Sequence, residues 1–229
     1  MSTNSYKING QKFGWGPGVA TLNTEKADLL KRFALGKCLD IGFGSGIYTE
    51  HLQKLGHPVV GVDNENLFVQ EAKAKYKKIK FVKASALNLP FKNLEFNTAI
   101  AFDILEHLDD KPTLKEILRV AKRVIISIPL KNQRILEQYG LSHAHYLDKT
   151  HLRIYTLKKI KSLAKSLNLK IVYLEKSLPL SISGLLVERL TNQNRVLKFI
   201  LKLLLKPFLP EPPLYSTIFA VIERKNSSK

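Results

Sequence analysis

Short apolar runs alternate with longer amphipathic segments along most of the 229-residue chain. The runs are rich in β-branched and aromatic residues, and most of them stop at Gly, Pro or an acid, which is typical of buried strands. We predict strands at residues 38–41, 58–62, 79–82, 98–102, 124–128, 169–174 and 217–222.

The segments between these strands carry apolar residues at helical spacing. In the first of them, Asn23 or Thr24 is a suitable N-cap and Gly36 a suitable stop. We predict helices at residues 24–34, 49–55, 65–77, 114–121, 157–167 and 195–206. Strands that alternate with helices in this way predict an α/β fold with a doubly wound parallel sheet and right-handed crossovers.

The first strand leads into a glycine-rich turn that could hold a cofactor. Asp40 lies within the strand, and Gly42, Gly44 and Gly46 follow at alternate positions before the next helix. A dinucleotide site needs its third glycine one residue later, and a carboxylate beside a pyrophosphate would be repelled. The turn therefore favours a ligand that carries an ammonium group and a nucleoside but no phosphate.

The second strand ends in an acid, Asp63. A carboxylate can accept hydrogen bonds from two neighbouring hydroxyl groups, as on a ribose. An aspartate just before a helix is also a common N-cap, and the two roles are compatible.

At this point the chain resembles the class I S-adenosylmethionine-dependent methyltransferases, in particular their small-molecule branch of type 11/23. The similarity is carried by DIGFGSG at residues 40–46, by Asp63 in VVGVDNENL, by SALNLPF at 85–91 and by FDILEHL at 102–108. A weaker similarity lies in THLRIYT at 150–156. Four matches in the family's order are far more specific than any one of them.

The resemblance implies a Rossmann-like sheet of seven strands in the order 3-2-1-4-5-7-6, with the last strand antiparallel. It implies S-adenosyl-L-methionine as cofactor, with the glycine backbone against its methionine part, Asp63 on the ribose and Asn64 near the adenine. The family usually has an aspartate where this chain has Ser85, so adenine would be held without that charge. The implied cofactor contacts are Asp40, Gly42, Gly44, Gly46, Asp63, Asn64, Ser85, Ala86 and Phe102.

A catalytic base is needed only if the acceptor is a hydroxyl or an acidic carbon. The candidates are His107, Asp103 and His151, in that order. Glu106 and His107 could instead cap or orient the loop after the fourth strand. His143, His145 and His151 lie close together in sequence, but no cysteine or carboxylate cluster accompanies them, so we expect no metal site.

The chain is strongly basic, with a formal charge of +18 from 37 Lys and Arg against 19 Asp and Glu. Such a charge favours anionic partners, but the lysines are spread along the chain, as solvated surface lysines would be. Nucleic acid is the less favoured partner, because the motif of the nucleic-acid amino-methylating branch is replaced by FDIL. With one cysteine, no signal peptide and no apolar run of membrane-spanning length, we expect a cytoplasmic protein.

Residues 184–213, between the last two strands, contain a helix with Lys198, Lys202 and Lys206 in one stripe and apolar residues elsewhere. An ordinary packing or dimer helix fits this pattern. A lid over a hydrophobic substrate fits it too, as does peripheral contact with the inner membrane surface through residues 195–209.

We expect a single methyltransferase domain over residues 1–229: an arm and helix at 1–35, a cofactor core at 36–130 and a substrate-side half at 131–229. The arm holds Phe13 and Trp15 as anchors and could close over the cofactor. The acceptor is expected to be a small molecule or lipid-like. An RNA methyltransferase and an inactive, cofactor-binding partner subunit are the alternatives, and the sequence leaves the oligomeric state open.

Overall fold

The structure is a computed structural model that describes residues 21–131, 136–138, 150–191, 195–205 and 214–225. Seven strands form one sheet in the order β3-β2-β1-β4-β5-β7-β6, which confirms the predicted order. The strands are β1 Cys38–Ile41, β2 Val59–Asp63, β3 Lys80–Lys83, β4 Phe96–Phe102, β5 Ala121–Pro129, β6 Leu169–Leu180 and β7 Leu214–Arg224. β7 is antiparallel to β5 and β6, also as predicted, and the pairs among β1 to β5 are parallel.

The central strands are buried on both faces because helices cover each side of the sheet. Along β4, Ala99 and Ala101 belong to one core cluster, whereas Ile100 and Phe102 belong to the opposite one. The period of two in strand side chains divides the core in this way. Continuous apolar runs are therefore the expected signature of these strands.

The helices are α1 Thr24–Phe33, α2 Ile47–Lys54, α3 Asn66–Lys75, α4 Asp110–Val120, α5 Leu157–Ser166, α6 Ile182–Thr191 and α7 Arg195–Leu205. A short 3₁₀ turn, Leu105–His107, precedes α4. Asn23 is the N-cap of α1, since its side chain accepts the N–H of Lys26 at 2.9 Å.

Several boundaries differ from the sequence prediction, most of them by no more than three residues. α4 begins at Asp110 rather than at residue 114, because Pro112 fits the first helical turn, where no backbone N–H is needed. Ala121, predicted as the end of that helix, pairs with Phe96 as the first residue of β5. β6 continues to Leu180 through Pro179, which an edge strand tolerates, and α6 was not predicted.

The carboxyl ends of β1, β2 and β4 lie at one edge of the sheet. β1 pairs with β2 on one side and with β4 on the other, so the order in which strands are added to the sheet reverses between β1 and β4. Ligands of open α/β sheets bind at such a switch point. The three strand ends bring together the glycine turn, Asp63 and the segment that starts at Asp103.

Candidate cofactor and acceptor site

The turn after β1 requires glycine for steric reasons. Gly42, Gly44 and Gly46 have φ values of 67°, 54° and 75°, where other residues are strained. A Cβ at Gly42 would lie 2.0 Å from Cδ1 of Ile104, and one at Gly46 would lie 2.7 Å from the ring of Tyr76. The backbone therefore approaches its surroundings more closely than any side chain would allow.

Asp40 is a buried acid below this turn. Thr49 donates its hydroxyl to Oδ2 of Asp40 at 2.6 Å. Burial raises the pKa of Asp40 to about 7, the Thr49 hydrogen bond opposes the rise, and the charge of Asp63 adds to it. Near neutral pH the group is therefore poised to ionise when a cation approaches.

Asp63 has both carboxylate oxygens held by backbone groups. The N–H of Gly44 donates to Oδ2 at 3.1 Å, and the N–H of Glu65 donates to Oδ1 at 2.9 Å. Burial raises the pKa of Asp63, while these two N–H groups pull it down. Each oxygen keeps a second lone pair, so the carboxylate can still accept two hydroxyl donors. The N-cap of α3 is Glu65, not Asp63.

The predicted adenine-side residues lie after β2 and β3. Asn64 is exposed, and Ala86 packs partly against the core. Ser85 belongs to a tight turn, in which its hydroxyl accepts the N–H of Leu87 at 3.2 Å and its carbonyl accepts that of Asn88 at 3.0 Å. The N–H of Ala84 donates to the Asp63 carbonyl at 3.0 Å, which ties this turn to the end of β2.

A cavity opens beside the glycine turn. Its lining includes residues that the sequence analysis predicted for the site and one cation, Lys26, that it missed. The lining residues are Thr21, Lys26, Asp40, Gly42, Phe43, Ser45, Ile47, Tyr48, Phe102 and Asp103. Positive and negative side chains thus meet in one small space.

Lys26 is the cation of this cavity, and the sequence analysis did not identify it. Its Nζ contacts Oδ2 of Asp103 and lies 5.2 Å from the centre of the Phe102 ring. Burial lowers the pKa of Lys26, but the charges around it, Asp103 first, outweigh burial and raise the pKa overall. Two features of the sequence could have identified Lys26 as a buried cation. A lysine in the first helical turn opposes the helix dipole, and Lys26 lies on the same apolar face as Leu30.

Asp103 lies just after β4 with φ of 55°, a conformation that is costly for a residue other than glycine. The Ser127 hydroxyl donates to its Oδ1 at 2.8 Å, and Lys26 contacts the other oxygen. An aspartate with both oxygens engaged is a poor proton acceptor. These contacts favour a role in holding Lys26 over the predicted role as base.

The other two predicted catalytic residues come together. The rings of His107 and His151 pack edge to face, with their centres 4.6 Å apart. The carboxylate of Glu106 joins them, and one potential ligand atom from each of the three lies within 4.8 Å of the others. Glu106 is completely buried, whereas both histidines are half-buried.

The segment 150–156 is held against the 3₁₀ turn by its own side chains. Arg153 donates to the carbonyl of Leu108 and pairs with Asp109 at 3.1 Å. Tyr155, fully buried, donates to the carbonyl of Leu105 at 3.3 Å. These contacts explain how a histidine 44 positions after His107 reaches it.

An apolar surface covers much of α7 and the end of α6. Phe199 is 67% exposed and Leu203 is 62% exposed, and four further large residues are also exposed: Leu190, Leu197, Ile200 and Leu204. No helix among the described residues is long and apolar enough to cross a membrane. The predicted arm with Phe13 and Trp15, His143 and His145, and the stretch from Lys206 to residue 209 lie outside the described residues.

Comparison with known proteins agrees with this geometry. Residues 39–124 match the model of a family described as "Methyltransferase domain". An uncharacterized methyltransferase of Bacillus subtilis, YodH, is 26% identical in an alignment of 143 residues that covers 55% of this chain and 61% of YodH. The chain thus aligns with about three fifths of that relative's length.

Solved structures share the fold at low identity. A SAM-dependent methyltransferase from Archaeoglobus fulgidus superposes with a TM-score of 0.62 and 20% identity, covering 96% of this chain and 99% of that one. The [4+2]-cyclase SpnF superposes with a TM-score of 0.58 and 15% identity, over 92% of this chain and 86% of the other. The same fold therefore occurs in a protein named for a different reaction, and activity must be argued from the site.

Proposed function

Because the chain belongs to the class I S-adenosylmethionine-dependent methyltransferase family, we propose that it methylates a small-molecule or lipid-like acceptor. The observation that carries the proposal is the joint arrangement of Asp63, Gly44 and the charged cavity at the switch point of the sheet. The alternatives are methylation of RNA and an inactive, cofactor-binding subunit.

The residues present fit S-adenosyl-L-methionine. Asp63 would accept the ribose hydroxyls, because each of its oxygens has one lone pair beyond its backbone hydrogen bond. The amino-acid end of the cofactor carries an ammonium and a carboxylate, and the cavity offers Asp40 for the first and Lys26 for the second. Asn64, Ser85 and Ala86 would remain for the adenine.

When bound, S-adenosyl-L-methionine supplies a methyl group on a cationic sulfur that is displaced without protonation of the leaving group. The protein then contributes mainly position and the exclusion of water. Phe102 and Tyr48 pack edge to face at 5.1 Å and give the cavity an apolar wall. His107 and His151 are the groups best able to take a proton from a hydroxyl acceptor.

The lipid-like acceptor is supported by the position of the apolar surface on α6 and α7. The end of β5, Pro129, pairs with Thr217 near the start of β7, and the end of β6, Leu180, pairs with Leu214. The two helices connect β6 to β7 and so leave the sheet at its carboxyl edge, where the cofactor site also lies. A hydrophobic acceptor, or the membrane that holds it, could meet the protein there.

Calorimetry with S-adenosylmethionine, S-adenosylhomocysteine and NAD tests the cofactor, and binding of the first two without NAD is expected. Transfer of a labelled methyl group from the cofactor into cell extract then tests the activity. Binding without any transfer would favour the inactive subunit, and binding of NAD alone would overturn the assignment.

A further inference from the structure

The cluster of Glu106, His107 and His151 combines two imidazoles with one carboxylate at the edge of the candidate site. One potential ligand atom from each lies within 4.8 Å of the other two. Bonds of about 2.1 Å to a common ion would bring such atoms to roughly 3.0–3.4 Å from each other, depending on the geometry of the ion. Closing that difference requires rotation of the two histidine side chains, both of which are half-buried rather than packed in the core.

We propose that these three residues bind a divalent transition-metal ion. Two neutral imidazoles and one carboxylate suit Zn²⁺, Co²⁺ or Fe²⁺ and are a poor set for Mg²⁺ or Ca²⁺, which prefer oxygen ligands only. Three protein ligands leave positions open on the ion for another molecule, as in catalytic rather than structural metal sites.

The surroundings of His107 fit a metal ligand. Its Nδ1 lies 2.9 Å from the Thr150 hydroxyl and 3.4 Å from the Thr150 carbonyl. If Nδ1 donates to these oxygens, the lone pair of the ring is on Nε2, which is the tautomer that a metal needs. Histidine ligands usually donate their other ring nitrogen to a protein oxygen in this way.

The frame of the cluster is fixed on both sides. Glu106 and His107 belong to the 3₁₀ turn after β4. His151 is held against that turn because the N–H of Leu152 donates to the Glu106 carbonyl at 2.8 Å, and because Arg153 and Tyr155 bind the same loop.

The position of the cluster suggests what the ion would hold. Asp103, which lines the cavity, lies three residues before Glu106, so the cluster adjoins the cavity through the segment that follows β4. On this inference, which rests on the proposed methyltransferase function, the acceptor carries an oxygen that binds the ion, such as a hydroxyl with a neighbouring hydroxyl or carbonyl. With the ion bound, His107 and His151 are its ligands and do not also take the acceptor's proton. We expected no metal site from the sequence because no carboxylate cluster lies beside His151 along the chain. Glu106 becomes a neighbour of His151 only in the fold.

The test is a titration of the untagged, metal-stripped full chain with Co²⁺, followed by the visible absorption of the bound ion. One equivalent is expected to bind, and His151→Ala and Glu106→Gln are each expected to weaken binding by about 10- to 100-fold. His57→Ala is the matched control: it removes one imidazole near the opposite edge of the sheet, where the ring contacts the Gly36 carbonyl, and should bind as the wild type does. Circular dichroism shows whether each variant is folded.

Absence of stoichiometric binding by the wild type, or equal binding by the wild type and both folded cluster variants, would overturn the metal site. Cofactor binding by the metal-stripped protein is measured separately by calorimetry. If that binding is intact while Co²⁺ does not bind, only the metal site fails; if Co²⁺ binds and the cofactor does not, it is the proposed function that fails.

Discussion

At the scale of single residues, the two acids of the site differ in what surrounds them. Asp63 is engaged by two backbone N–H groups, whereas Asp40 has one hydroxyl partner and is almost completely buried. The first is prepared to accept further hydrogen bonds, and the second to gain a cationic neighbour. Their removal should therefore have different consequences.

Asp63→Ala should weaken S-adenosylmethionine binding by about 1–3 kcal/mol, the scale of a lost hydrogen bond to a charged group. Calorimetry at one pH measures the change, and Asp28→Ala, which removes an exposed acid of α1, is the control. Unchanged affinity in Asp63→Ala would argue against the ribose contact.

Asp40→Asn should change how stability and binding depend on pH. The pKa of Asp40 is about 7 in the folded protein against an ordinary value of 3.8, so folding takes up a proton between these values. The contribution of Asp40 to stability is complete below about pH 4 and is lost as pH rises through about 7. The melting temperature of Asp40→Asn, relative to the wild type, should therefore rise between pH 5 and pH 8.

The ionisation of Asp40 predicts that affinity for the cofactor changes with pH in the opposite direction to the stability of the protein. Ionised Asp40 attracts an ammonium group, so wild-type affinity for S-adenosylmethionine should increase as pH rises through about 7, whereas that of Asp40→Asn should stay flatter. Parallel pH profiles for the two proteins, in melting and in calorimetry, would contradict both expectations.

At the scale of elements, the ion pair of Lys26 and Asp103 joins the start of α1 to the end of β4. Lys26→Met leaves the aspartate with Ser127 but without its cation, and should destabilise the protein by roughly 1–3 kcal/mol, less than a fully buried pair because Asp103 is partly exposed. Urea unfolding of Lys26→Met, Asp103→Asn and the double variant measures this. The double variant should lose less than the sum of the single changes, and strict additivity would mean that the pair is not coupled.

The apolar surface of α7 gives the second prediction at this scale. Phe199→Asp/Leu203→Asp should abolish sedimentation with anionic liposomes while leaving the melting temperature nearly unchanged, because both side chains are mostly exposed. A triple variant should also abolish sedimentation, because anionic lipid repels the acidic side chains that it introduces: Lys198→Glu/Lys202→Glu/Lys206→Glu. Leu35→Asp, an exposed apolar residue near the amino end of β1, is the matched control. Equal sedimentation of all variants, or none by the wild type, would exclude membrane contact.

At the scale of the whole molecule, the formal charge of +18 would suit RNA as well as acidic lipids. The cofactor edge, however, carries the exposed apolar surface of α7 and the end of α6, which the proposed lipid-like acceptor would require. With labelled cofactor, the methyl group should therefore be recovered in the small-molecule or lipid fraction of a cell extract. Label that is released by nuclease would instead support the RNA alternative, and Asp63→Ala serves as the low-activity control.

Features that depend on local backbone or on periodicity were accessible from the sequence. The glycines of the turn after β1 are required by their positive φ values, and the strands were recognised because burial on both faces demands continuous apolar runs. The order of the strands followed from the family resemblance. Boundaries such as Ala121 were wrong because helix and strand meet there without a turn.

Tertiary structure alone decided which distant residues meet. The approach of Lys26 to Asp103 and of His151 to Glu106 depends on how α1 and the segment after β5 pack over the carboxyl edge. Short-range patterns carry no information on such pairs, because the contacts join residues that are far apart in the chain. The sequence by itself therefore determined the glycine turn and the sheet, whereas the fold decided which charges line the cavity and which side chains form the cluster of Glu106, His107 and His151.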